Sequence, residues 1–250
     1  MGAFATEAAM INLRRIRFVF ALGIVFALTS CCHAPCKHPA LFQVSTIRAL
    51  KQGDYNGRIS LAGLKAKGNF GFGTFDGLDG EMIELDGKVY QANADGRVYL
   101  PPDDSKTPFA AVLFFTPDKS LKVEKCANYP ELTKLIESQI TDKEMIYAVR
   151  IEGEFAYLKL RAPRRQNKPY PPLEEALKSQ SIFEHNNIQG TLVGFWFPAY
   201  LSEVNSSGIH FHFLSADKRF AGHMLEGKFG RLKISLQRID RFKALLGCAG

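Results

Sequence analysis

The sequence predicts an α+β fold, with two sheet-rich domains of mixed and antiparallel β-sheet and a few short helices. Three observations carry that expectation. Short runs of alternating apolar and polar residues recur along most of the chain, separated by turn residues. Asp86-Gly87 and Asp95-Gly96 are dipeptides favoured by two-residue hairpin turns, whose central positions need positive φ. Helical periodicity, by contrast, is confined to a few short stretches.

Taken in order, Phe42-Gln43-Val44 reads as a strand. Ser45 caps a helix over residues 46–52 that Gly53 stops, and Ser60 caps another over 61–67 that Gly68 stops. In Asn69-Phe70-Gly71-Phe72-Gly73-Thr74-Phe75 the phenylalanines share one face and glycine dominates the other, a pattern that admits close approach of a backbone or a ligand. Residues 110–115 read as a buried strand. Residues 130–140 read as an amphipathic helix with Leu132, Leu135, Ile136 and Ile140 inward. A hairpin is expected from 145–151 and 155–161, turning at Glu152-Gly153. The Pro- and Arg-rich stretch 162–172 links the halves, giving an N-terminal β-sheet domain at 41–165 and a C-terminal β domain at 166–250. Residues 173–180 are helical, 190–198 form an aromatic strand and 231–239 a last strand. No internal repeat is visible.

The chain has 250 residues, long enough for a substantial core, and a net charge of +7. The basic residues are scattered, without a stripe of interleaved aromatics, which argues against a nucleic-acid partner. Arg14, Arg15 and Arg17 precede an apolar run too short for a transmembrane helix, followed by Leu28-Thr29-Ser30-Cys31. Residues 1–30 therefore read as a signal peptide of the lipoprotein type, with Cys31 as the lipid anchor and 31–40 as a tether. The protein is expected to be exported, as a membrane-anchored lipoprotein or in the periplasm or medium. Cys32 and Cys36 crowd with His33 and His38 in an order that matches no zinc or haem spacing. Cys126 and Cys248 are isolated, and an oxidising compartment permits them to pair.

The stretch that dominates the chemistry is Gly208-Ile209-His210-Phe211-His212-Phe213-Leu214, followed by a turn over 215–219 and a return through Phe220-Ala221-Gly222-His223. On a strand, residues two apart leave the same face, so His210 and His212 point together. A turn centred between Asp217 and Lys218 sets His223 opposite His212, and one centred between Ala216 and Asp217 sets it opposite His210. Either register gathers three imidazoles. A centre on Asp217 turns His223 away unless Gly222 forms a bulge. Three neutral imidazoles with an open position suit a catalytic zinc ion. Read alone, Glu81 after the Asp79-Gly80 turn and Arg161 at a strand end are no more than solvated strand and surface residues, and His185 reads as a loop histidine at the surface.

Five stretches carry a family resemblance: Phe42-Gln43-Val44-Ser45-Thr46; Gly71-Phe72-Gly73-Thr74-Phe75 with Leu78-Asp79-Gly80-Glu81; Tyr147-Ala148-Val149-Arg150-Ile151-Glu152-Gly153; Gln166-Asn167-Lys168-Pro169-Tyr170-Pro171-Pro172; and Gly190-Thr191-Leu192-Val193-Gly194-Phe195 leading to the histidine hairpin. Over residues 41–240 the chain resembles the α-acetolactate decarboxylases. The resemblance implies a two-domain, usually dimeric lyase that converts (S)-2-acetolactate to (R)-acetoin and CO₂ in acetoin formation. It places the zinc ligands on His210, His212 and His223, and the active-site glutamate, arginine and threonine on Glu81, Arg161 and Thr74. Zinc as a Lewis acid suits loss of CO₂ from a β-keto acid, which leaves charge on the neighbouring ketone oxygen. Family members usually return a second glutamate to the metal from a longer C-terminal tail, whereas Asp240 is the last acidic residue here. Another group or water is expected in its place, or else reduced turnover. The alternative reading is a zinc- or acetolactate-binding lipoprotein without catalysis. A cupin-like iron site ranks lower, because no glutamate follows His-x-His until Glu226.

Overall fold

Alternation along the strands sets the layering of this molecule, and the computed structural model describes it over residues 39–247. The expected signal peptide, residues 31–38 of the expected tether with Cys31, Cys32, Cys36, His33 and His38, and Cys248 lie outside the described residues. In chain order the elements are β1 (Ala40–Val44), α1 (Ile47–Lys51), β2 (Ile59–Ser60), α2 (Leu61–Lys65), β3 (Phe70–Thr74), β4 (Glu81–Leu85) and β5 (Lys88–Ala92). There follow β6 (Val98–Tyr99), β7 (Lys106–Thr107), β8 (Ala110–Leu113), β9 (Lys119–Val123), α3 (Tyr129–Gln139) and β10 (Ile146–Ala162). The last are α4 (Leu173–Leu177), β11 (Ser181–Phe197), β12 (Gly208–Ser215), β13 (Ala221–Ile239) and β14 (Arg241–Leu245). None of the described helices is long and apolar enough to cross a membrane.

The strands form a seven-stranded sheet, ordered β14-β1-β8-β3-β4-β5-β6, and a five-stranded sheet, ordered β10-β11-β12-β13-β9. β1 and β14 pair in parallel and the other pairings of these two sheets are antiparallel, so the fold is the sheet-rich α+β class with mixed pairing. β10 also pairs with β13 along its length, closing four strands of the second sheet on themselves. One core joins the two sheets. Phe70 and Phe72 of β3 meet Phe195 of β11, with ring centroids 6.1 and 5.2 Å apart. A second core fills the five-stranded sheet beneath Leu132 and Ile136 of α3. A third lies on the outer face of the seven-stranded sheet, where Leu61 and Leu64 of α2 cover Met82, Val89 and Val112.

Gly71 and Gly73 explain why β3 spends half of its side chains on glycine. A Cβ at either would fall 2.1 and 2.3 Å from backbone carbonyls of residues 111 and 109, so the close partner is another strand rather than a ligand. The Asp86-Gly87 turn joins β4 to β5 with φ of 52° and 77°, as that dipeptide predicts.

Four local expectations are corrected. Residues 145–161 form no hairpin: β10 runs unbroken through Glu152-Gly153, and Gly153 marks a register shift within the strand. A Cβ there would sit 2.1 Å from the Arg231 carbonyl oxygen, so the glycine serves a tight strand crossing instead of a turn. His185 is not in a loop but on β11, which starts nine residues ahead of the expected strand. The return strand and the last strand are one element, β13, and a further strand, β14, follows it. The cap of α1 is Thr46, whose hydroxyl accepts from the Ala49 N–H, while Ser45 takes positive φ. Ser60 caps α2 as expected, accepting from Gly63. The five-stranded sheet also recruits β9 and β10 from ahead of residue 165, where the sequence sets a boundary between domains. Thr46→Ala is expected to cost about 1 kcal/mol. A melting curve should show it as a loss of about 2–4 °C.

Candidate metal centre

The hairpin between β12 and β13 brings His210, His212 and His223 together. His212 is directly opposite His223, the register with its centre between Asp217 and Lys218. Lys218 makes that turn possible with a φ of 62°, and Ser215 braces it by accepting from the Arg219 and Phe220 N–H groups. One ring nitrogen from each histidine lies within 4.8 Å of the other two. His210 Nε2 and His223 Nδ1 face each other at 2.9 Å. Phe72 forms the floor, its ring 4.4 Å from that of His210 and 4.8 Å from that of His212.

These imidazoles are held neutral. Burial pushes His212 down to about 3, and burial with neighbouring imidazoles and Arg161 lowers His210 and His223 well below the usual histidine value. His212 Nδ1 donates to the Met82 carbonyl at 2.9 Å, which fixes the tautomer and leaves Nε2 with its lone pair free. His210 Nδ1 is buried without a hydrogen-bond partner. Neutral rings, a fixed tautomer and nitrogens converging on one point suit a divalent ion that accepts imidazole ligands.

Glu81 opens β4 straight after Gly80, whose φ of 82° makes the preceding turn. Its Oε2 lies 3.4 Å from His212 Nε2, and its Oε1 lies 4.0 Å from Arg161 Nε. Burial raises its pKa to about 7 against the opposing pull of Arg161. Arg161 is opposite His223 in the β10–β13 register, which aims it at the same space. Thr74 is opposite Glu81, and its hydroxyl donates to the Gly80 carbonyl at 2.6 Å. That bond fixes the turn that presents Glu81. The structure thus brings together the six residues His210, His212, His223, Glu81, Arg161 and Thr74 around one pocket of about 140 Å³. His185 is elsewhere, against Phe220. The pocket also has an apolar wall that the sequence does not announce, from Ile47 and Leu50 of α1 and Leu173 and Leu177 of α4. Gln180, equally unannounced, accepts from Arg161 Nη1 at 3.2 Å.

The alpha-acetolactate decarboxylase family model matches residues 41–247, almost all of the described chain. The chain belongs to the alpha-acetolactate decarboxylase family. Among relatives, it is 45% identical over 186 residues to the alpha-acetolactate decarboxylase of Methanosarcina mazei, covering 74% of this chain and 65% of that one. It is 39% identical over 212 residues to the enzyme of Brevibacillus brevis, covering 85% and 74%. The crystal structure of the Bacillus subtilis alpha-acetolactate decarboxylase superposes with a TM-score of 0.80 at 34% identity, covering 83% of this chain and 88% of that one. The match to the Methanosarcina protein thus spans just under two thirds of that relative's length. Every pocket residue named above lies inside the segment that matches the family.

Proposed function

We propose that this protein is a zinc-dependent α-acetolactate decarboxylase, a carboxy-lyase that releases CO₂ from (S)-2-acetolactate and yields (R)-acetoin. One observation carries the reading: three neutral imidazoles, a buried carboxyl and a guanidinium face one pocket in a chain of this family. Bound by the three histidines, zinc would supply a Lewis acid for the ketone oxygen that takes up charge as CO₂ leaves.

The protein's own groups do the rest. Breaking the bond to the carboxylate sends its electron pair into the adjacent ketone, and one proton must then be added for each CO₂ lost. Arg161, cationic and mostly buried, attracts the substrate carboxylate and faces the charge that develops beside it. Glu81, a buried carboxyl beside the histidines and Arg161, is placed to take the substrate hydroxyl proton and return one. The apolar wall from α1 and α4 accommodates methyl groups and keeps water scarce around these charges. Thr74 acts through the Gly80 turn, as a positioning residue for Glu81. The same reading makes the protein a homodimer that acts outside the cytoplasm, with the lipid anchor at Cys31 following from the leader sequence.

The test is to load the purified protein with zinc, add racemic acetolactate and measure acetoin against a control without enzyme. Glu81→Gln is expected to lower kcat by about 10²–10⁴-fold while zinc stays at one per chain. A wild-type protein that binds zinc but forms no acetoin above the control would overturn the decarboxylase reading and leave a binding protein.

A further inference from the structure

The half-buried arginines of this fold are not treated alike. Arg58 and Arg150, with side chains 9% and 20% exposed, each grip carboxylates: Asp54 for the first, Asp86 and Glu152 for the second. Arg161 is buried to the same degree, at 17%, yet its one hydrogen bond among the described residues goes to the neutral amide oxygen of Gln180. Its Nε is buried without a partner, and Glu81 stands off at 4.0 Å. A guanidinium has five N–H donors, so most of this donor capacity is unspent at the wall of the pocket that Arg161 lines.

Gln180 is well placed for this task. It lies three residues beyond the end of α4, and its N–H donates to the Leu177 carbonyl at 3.2 Å. The adjacent Ser179 carbonyl accepts from Arg164 Nε at 2.9 Å, pinning the segment to the chain just beyond Arg161. The short helix that supplies Leu173 and Leu177 to the apolar wall therefore also sets where the tether sits.

We propose that Gln180 is a positioning residue that holds Arg161 through a neutral acceptor, so that no second carboxylate joins Glu81 in offsetting the charge that the guanidinium presents to the carboxylate of a small 2-hydroxy acid. A carboxylate at this position would orient Arg161 more firmly but cancel its field inside the pocket. The substrate class rests on the decarboxylase reading. The tether itself rests on the geometry alone.

Gln180→Glu and Gln180→Ala separate the two effects in the zinc-loaded protein. kcat and KM for acetolactate are one readout, and calorimetric binding of unreactive 2-hydroxyisobutyrate is the other. Gln180→Glu is expected to lose at least tenfold in both kcat/KM and 2-hydroxyisobutyrate affinity and to be worse than Gln180→Ala, with zinc content and melting temperature unchanged. A purely structural tether predicts the reverse order, because glutamate holds a guanidinium better than glutamine does. Gln180→Glu matching or exceeding Gln180→Ala in both readouts overturns the proposal. If wild type forms no acetoin while Gln180→Glu still weakens 2-hydroxyisobutyrate binding, the decarboxylase reading falls and the role of Gln180 stands.

Discussion

His212→Ala is expected to strip the protein of stoichiometric zinc and to cut acetoin formation on the order of a thousandfold or more, beyond the 10–100-fold typical of losing a partner of a ligand. His212 is the most buried of the three histidines, at 2% exposed, and the best oriented. Its Nδ1 proton is committed to the Met82 carbonyl, so the opposite nitrogen has one direction in which to act. Without it two imidazoles remain, too few for the closed half of a catalytic zinc site. The substitution also removes the hydrogen bond to the Met82 carbonyl, a loss of about 0.5–1.5 kcal/mol. Elemental analysis after dialysis reads the first effect and a melting curve the second. One zinc per chain together with wild-type acetoin formation would show that the ion is held elsewhere.

Glu84→Gln should stabilise the protein, and more so as pH rises. Glu84 sits on the outer face of the seven-stranded sheet, opposite Gly71 and Val89, fully buried and with both carboxylate oxygens unpaired. Lys65, the cation whose charge acts on it, is already engaged by Asp103. Burial raises its pKa from 4.5 to about 7 despite Lys65. The native state therefore holds a proton that the unfolded chain releases between those two values. Stability from this group is complete below pH 4.5 and is lost as pH climbs through 7. The full loss approaches roughly 3 kcal/mol above pH 8. A glutamine cannot ionise, so the variant and the wild type should melt together near pH 5. By pH 8.5 they should separate by roughly 6–12 °C, with Gln higher. A separation that does not change with pH would mean that Glu84 is solvated or paired in the native state.

The sequence displays the histidine hairpin because strand periodicity and turn spacing are local properties, and three imidazoles on one face are hard to miss. Glu81, Arg161 and Thr74 carry no such local mark. They meet because β3, β4 and β10 come together in space, and only the family resemblance points to them. Gln180 escapes both routes, since its role depends on how one turn after α4 crosses to β10. The fold was legible where one face is buried and the other is not. It was misread where that contrast fails. The first half of β11 lacks a buried face, so it has no alternation to read. β14 is exposed along most of its length. Gly153 imitates a hairpin turn because glycine answers equally to a positive φ and to a crowded strand crossing, and sequence does not separate the two.

The parallel pairing of β1 with β14 joins Ala40 to Arg241, near opposite ends of the described chain. During synthesis the outer edge of β1 stays unsatisfied until residues 241–245 have emerged, about 200 residues later, an exposed template for other strands in the meantime. α1, which walls the pocket, hangs directly from that strand. The pocket wall is thus braced, through β1, by the C-terminal strand of the described residues. Small losses at β14, far from any metal ligand, should be felt first as slow or incomplete maturation rather than as weakened chemistry.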